Sequence, residues 1–310
     1  MKAASLFLLS ALIPALAFAQ PAKPPHEPWM DLANTNRKDP RLVRKTVAHM
    51  DLVYAKNGER EMLLNLYHPK GQKEKLPAIV CLHGGGWSKG KRQHAAHFAQ
   101  ALAARGFVAV AIDYRLSGEA KFPAHIEDAK AAVRWLRAHA DQWKVDAKAI
   151  GATGSSAGGH LAALLATSGE VKALEGKGGH EAFSSRIQAA APMCAQTDFM
   201  VERIKEKSLA PKGLYQNFLG GSQEEIPETY RLASPIHHLD AGDPPTFFLT
   251  GALDDPSTQA GAFRKRSTEL KIATGLLVIP EAPHGFHRKQ KFFDIAIDQL
   301  DEFFSKHLKN

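Results

Sequence analysis

The chain has 310 residues, 44% of them hydrophobic and 23% charged, an ordinary globular composition rather than a disordered or coiled-coil one, and suits one large domain or two small ones. Its formal charge of +8 is scattered, with short basic runs such as KGQKEK and RKQK that read as solvated loops. There is no interleaving of aromatic and basic residues of the kind that binds nucleic acid, so no nucleic-acid partner is expected.

The first nineteen residues read as a signal peptide. Lys2 supplies a positive start, LFLLSALIPALAF an apolar core interrupted by Pro14, and Ala17-Phe18-Ala19 a small-x-small cleavage pattern, with the cut after Ala19. The rival reading is an N-terminal membrane anchor, but the apolar run is short for a span. No other stretch is apolar and long enough to cross a bilayer. The mature chain is therefore expected to be secreted or periplasmic and, without Lys2, to carry +7. Residues 20–45 are Pro-rich and polar, an arm or linker ahead of a domain expected over 46–310.

Residues 47–69 alternate apolar and polar positions around Asn57-Gly58, a hairpin signature. Strands and helices then take turns. Strands are expected at 78–82, 107–112, 149–153, 189–194, 246–250 and 275–279. Helices are expected at 94–105, 124–140 and 157–167, and a last helix places Phe293, Ile297, Leu300, Phe304 and Leu308 on one stripe. Apolar strands between helices mean a mostly parallel central sheet covered on both faces, an α/β fold. Residues 199–238 break the alternation with a polar, partly helical stretch, read as a small cap insertion over one end of the sheet.

The chemistry gathers at four places. In GATGSSAGGH (151–160), Gly154 and Gly158 flank Ser156 in a Gly-x-Ser-x-Gly spacing, whereas Ser155 lacks the flanking glycines. A serine on a sharp strand-to-helix turn is exposed for attack, although glycine-rich turns of this kind also bind phosphate. HGGGW (83–87) follows a strand, and its glycines leave amides bare. Gly85 and Gly86, with Ala157 after the serine, are the expected donors to an oxyanion. His83 is expected to brace this loop. A serine needs a base and the base an orienting acid. His284, in the loop after the last strand, is favoured as base over His287. Asp254, ending Gly-x-x-Asp, is favoured as acid over Asp255, whose side chain would cap the turn at Pro256. Trp87 would either stack on a sugar ring or wall an acyl pocket. Tyr215 and Phe218 would either meet the leaving group or fill the cap's core.

Taken together, HGGGW, AIDYRLS, FPAHIEDAKAAVRWLR, GSSAGGHLAALLATSG, GALDD and APHGF resemble the α/β-hydrolase superfamily over residues 50–308. More narrowly, they resemble exported bacterial esterases related to carbohydrate acetyl- and feruloyl-esterases, the BD-FAE-like group, relatives of the hormone-sensitive-lipase-like esterases. The resemblance implies Ser156 as nucleophile, His284 as base, Asp254 as acid, and Gly85, Gly86 and Ala157 as oxyanion donors. It implies acyl-enzyme chemistry on short acyl esters of carbohydrates, with neither metal nor organic cofactor. One departure stands out: GALDDPST lacks the apolar residue that many relatives carry after the acid. The group's topology puts Cys81 and Cys194 on strands either side of the nucleophile strand, about 9.5 Å apart. A disulfide needs Cα atoms within about 7 Å, so both thiols are expected free. Competing readings are a peptidase or an arylformamidase-like amidase of the same fold, and a non-catalytic binding relative.

Overall fold

The computed structural model describes residues 40–309. The expected signal peptide and most of the arm lie outside the described residues. After a short helix α1 (Pro40–Val43), the predicted hairpin forms from β1 (Thr46–Asn57) and β2 (Arg60–Pro69), turning at Gly58 with φ +59°. The remaining strands are β3 (Leu76–Leu82), β4 (Val108–Ile112), β5 (Val145–Ser155), β6 (Ala189–Met193), β7 (Thr246–Gly251) and β8 (Thr274–Ile279). They form one sheet in the order β1-β2-β4-β3-β5-β6-β7-β8. The hairpin is antiparallel, β2 joins β4 antiparallel, and β4 through β8 run parallel.

Helices cover both faces, as the unbroken apolar strands require. In β3, Ala78, Val80 and Leu82 face one core and Ile79 and Cys81 the other. The first core is closed by α3 (Ala124–Ala138), the short α4 (Ala140–Trp143) and α5 (Ala157–Thr167). The second is closed by α2 (Ala96–Ala103) and, beyond the cap, by α10 (Gln290–Leu308), whose stripe is buried as expected. Between β6 and β7 come α6 (Glu202–Ser208), α7 (Leu214–Leu219) and α8 (Pro227–Leu232), and between β7 and β8 comes α9 (Gly261–Glu269). No helix among the described residues is long and apolar enough to cross a membrane.

This topology fixes where chemistry can occur. Parallel strands deliver their C-terminal ends to one rim of the sheet, where the following loops collect. The glycine loop follows β3, Ser156 follows β5, Cys194 follows β6, Asp254 follows β7 and His284 follows β8. Cys81, in β3, and Cys194, just past β6, are both free, and β5 lies between those two strands.

Candidate active site

Ser156 stands between β5 and α5 at φ +56°, ψ −118°, a conformation that a non-glycine residue adopts only where its surroundings enforce it. The enforcement comes from close packing of the turn. A Cβ on Gly158 would lie 2.2 Å from the Leu82 carbonyl oxygen, so the helix can approach β3 only with glycine there. The Ser156 amide donates to the Met193 carbonyl, which ties the turn to β6 as well.

His284 Nε2 lies 3.0 Å from Ser156 Oγ, and its Nδ1 lies 2.9 Å from both oxygens of Asp254. The carboxylate can only accept, so the network assigns the proton to Nδ1 and leaves the Nε2 lone pair for the serine hydroxyl. The two partners differ in exposure: the His284 side chain is 51% exposed, that of Asp254 only 4%. Burial would raise the Asp254 carboxyl. The hydrogen bond and charge of His284, the Asp255 amide and the Cys194 thiol outweigh it and hold Asp254 below its ordinary range. Thr250 and Thr258 also turn their hydroxyls to Asp254 Oδ2, at 3.4 and 3.2 Å.

The rival candidates have other partners. Asp255 caps the turn at Pro256–Gln259, accepting from the Ser257 amide, and pairs with Arg203 of α6. His287 packs on His97 and Phe98 rather than on the serine.

The glycine loop bends as its sequence demands. Gly85 has φ +124°, and a Cβ there would sit 2.1 Å from the Lys89 carbonyl oxygen. Among the described residues, no hydrogen bond is donated by the amides of Gly85, Gly86 or Ala157. His83 braces the loop, donating from Nδ1 to the Gly84 carbonyl and stacking on Tyr114, whose hydroxyl donates to the His83 carbonyl.

Ser156, Ala157, Asp254, His284, Gly86 and Trp87 share one cavity of about 150 Å³ with Leu214 and Tyr215 from the cap. Gly85 lies one residue behind its wall. Trp87 is only 4% exposed: it stacks on Phe218 at 4.2 Å and donates from Nε1 to His160 Nδ1. His160 in turn donates from Nε2 to the Ala233 carbonyl. Trp87 therefore joins the loop to α5 and to the 199–238 segment, whose Phe218 packs into the main core against Trp87, Phe122 and His125. Sequence reasoning passed over His160, although it stands one helical turn after Ser156. It read Cys194 only as a free thiol, whereas the residue lines the cavity beside Asp254 and burial pushes its thiol up to about 12.

The fold is similar to that of a truncated carbohydrate esterase from gut microbiota, with TM-score 0.73 and 25% identity over 84% of this chain and 97% of that one. It is also similar to propionate-bound esterase Est2 of Thermogutta terrifontis, with TM-score 0.69 and 28% identity over 83% of this chain and 93% of that one. Both likenesses fit the α/β-hydrolase fold seen in the sheet order. In sequence, the chain is similar to esterase LipQ of Mycobacterium tuberculosis, 32% identical over 76% of this chain and 56% of LipQ. The chain thus spans a little over half the length of that relative. Residues 64–266 match the family described as BD-FAE, a stretch holding the glycine loop, Ser156 and Asp254, and the chain belongs to that family.

Proposed function

We propose that this chain is an exported serine esterase that hydrolyses carboxylic esters through an acyl-enzyme, acting on short acyl esters of carbohydrates. The observation that carries the reading is the continuous relay from Asp254 through His284 to Ser156, opening on a cavity beside unbonded amides. Ser156 Oγ attacks the ester carbonyl while His284 Nε2 takes its proton. Asp254 holds the imidazole in the required tautomer and stabilises its charged form. The oxyanion is met by the amides of Gly85, Gly86 and Ala157. The imidazolium then protonates the leaving alcohol, and water repeats the sequence on the acyl-enzyme. The relay needs neither metal nor organic cofactor.

The cavity supports the acyl preference. At about 150 Å³, walled by Trp87, Leu214 and Tyr215, it suits an acetyl group better than a long chain. The likeness to a carbohydrate esterase and the signal-peptide reading support an acylated sugar as the alcohol side. Hydrolysis of p-nitrophenyl acetate by the wild type and Ser156→Ala tests the chemistry. The expected loss is at least about 10⁴-fold with the fold intact; substantial residual turnover would overturn the assignment. A panel of acetylated xylan, feruloylated sugars and aminoacyl amides then separates the esterase reading from an amidase.

A further inference from the structure

Cys194 carries no proton of the relay, yet its thiol stands against Asp254. The residue is 2% exposed, sits at φ +49° just past β6, and is fixed there by its amide donating to the Leu249 carbonyl. Its Sγ, a carboxylate oxygen of Asp254 and a ring nitrogen of His284 all lie within 4.8 Å of one another. The nitrogen turned toward Asp254 is Nδ1. Thiolate, imidazole and carboxylate are the three ligand types that zinc prefers, at bond lengths of about 2.3, 2.0 and 2.1 Å. Those lengths put tetrahedral ligands about 3.3–3.6 Å apart. Sγ reaches that spacing by closing on the other two by at most about 1.3 Å, and the Asp254–His284 pair, now 2.9 Å apart, by opening slightly.

We infer that Cys194, Asp254 and His284 form an inhibitory site for a thiophilic divalent cation of the zinc and cadmium class, entered from the substrate cavity. The consequence for turnover rests on the proposed function; the binding does not. Before binding, the thiol carries its proton and the imidazole carries one on Nδ1. On binding, sulfur and Nδ1 each donate an electron pair to the cation. The thiol proton leaves to solvent, and the imidazole proton moves from Nδ1 to Nε2. Nε2 then holds a hydrogen and has no lone pair to receive the Ser156 proton. The cation therefore disables the base by fixing the wrong tautomer, without touching the nucleophile.

The test is a titration of the full chain with cadmium ion alone. It follows sulfur-to-cadmium charge-transfer absorbance and p-nitrophenyl acetate hydrolysis together. The wild type should gain the absorbance and lose turnover at the same midpoint, and a chelator should restore both. Cys194→Ala should turn over, lack the absorbance and lose at least tenfold in sensitivity. Cys194→Ser, which keeps the side chain's size, serves if the alanine variant fails to fold. Cys81→Ala should behave as wild type, since Cys81 is buried within the sheet. Ser156→Ala should still gain the absorbance, so binding is read even if the esterase reading fails. Equal inhibition of wild type and both Cys194 variants, or absorbance that follows Cys81, would overturn the site.

Discussion

At the scale of single residues, two adjacent carboxylates are sorted by their partners. Asp254 faces His284 Nδ1 with both oxygens, and Asp255 faces Arg203 and the turn it caps. An amide at position 254 would present a donor to the imidazole and favour the wrong tautomer. Asp254→Asn should lower kcat by about 10⁴-fold with little change in KM. Asp255→Asn should leave kcat within about tenfold and cost stability by loosening α6. The reverse ranking of the two variants in steady-state kinetics would assign the acid to Asp255. Spacing alone left this choice open, because both aspartates follow the same strand. The serine was easier to read: glycine at 154 and 158 is a steric demand that leaves its mark on the sequence. Cys194 left no such mark, since its proximity to Asp254 arises only when β6 and β7 pair.

At the scale of elements, the strands were legible because burial on both faces forces continuous apolar runs, and the hairpin because Asn-Gly favours its turn. Their ends were not. β5 runs over Val145–Ser155 rather than 149–153, since partly exposed Asp146 and Ala147 extend the strand without an apolar signal. The helix expected at 124–140 ends at Ala138, and a separate short helix follows. In the cap, three helices of seven, six and six residues are too short to show a helical period. What joins these elements at the rim is the chain from Trp87 through His160 to the Ala233 carbonyl. Trp87→Phe keeps the stacking on Phe218 but leaves His160 Nδ1 a buried acceptor without a donor. The expected cost is about 1–3 kcal/mol in urea denaturation. Because the same link holds the glycine loop against α5, kcat should fall while KM changes little. A variant as stable and as active as wild type would show that the link positions nothing.

At the scale of the whole molecule, burial of histidine sets the response to acid. His83, His97 and His160 are pushed down to about 4, and His125 to about 3, in each case chiefly by loss of solvent. His287 is lowered for the same leading reason. Unfolded, each would titrate near its ordinary 6.5, so between that value and about 4 the unfolded chain binds protons that the folded chain refuses. Stability should therefore fall as pH drops from about 6.5 to about 4, and level off where the folded histidines protonate. Asp243, raised to about 7 by burial, and Asp128, raised by burial, hold protons in the fold and act in the opposite sense. Five enclosed histidines against two aspartates leave the balance with the histidines, a net uptake of protons on unfolding. Urea midpoints measured from pH 7.5 down to 4.5 should decline steadily, with a slope corresponding to uptake of more than one proton. A flat or rising midpoint would mean that these imidazoles are charged within the fold.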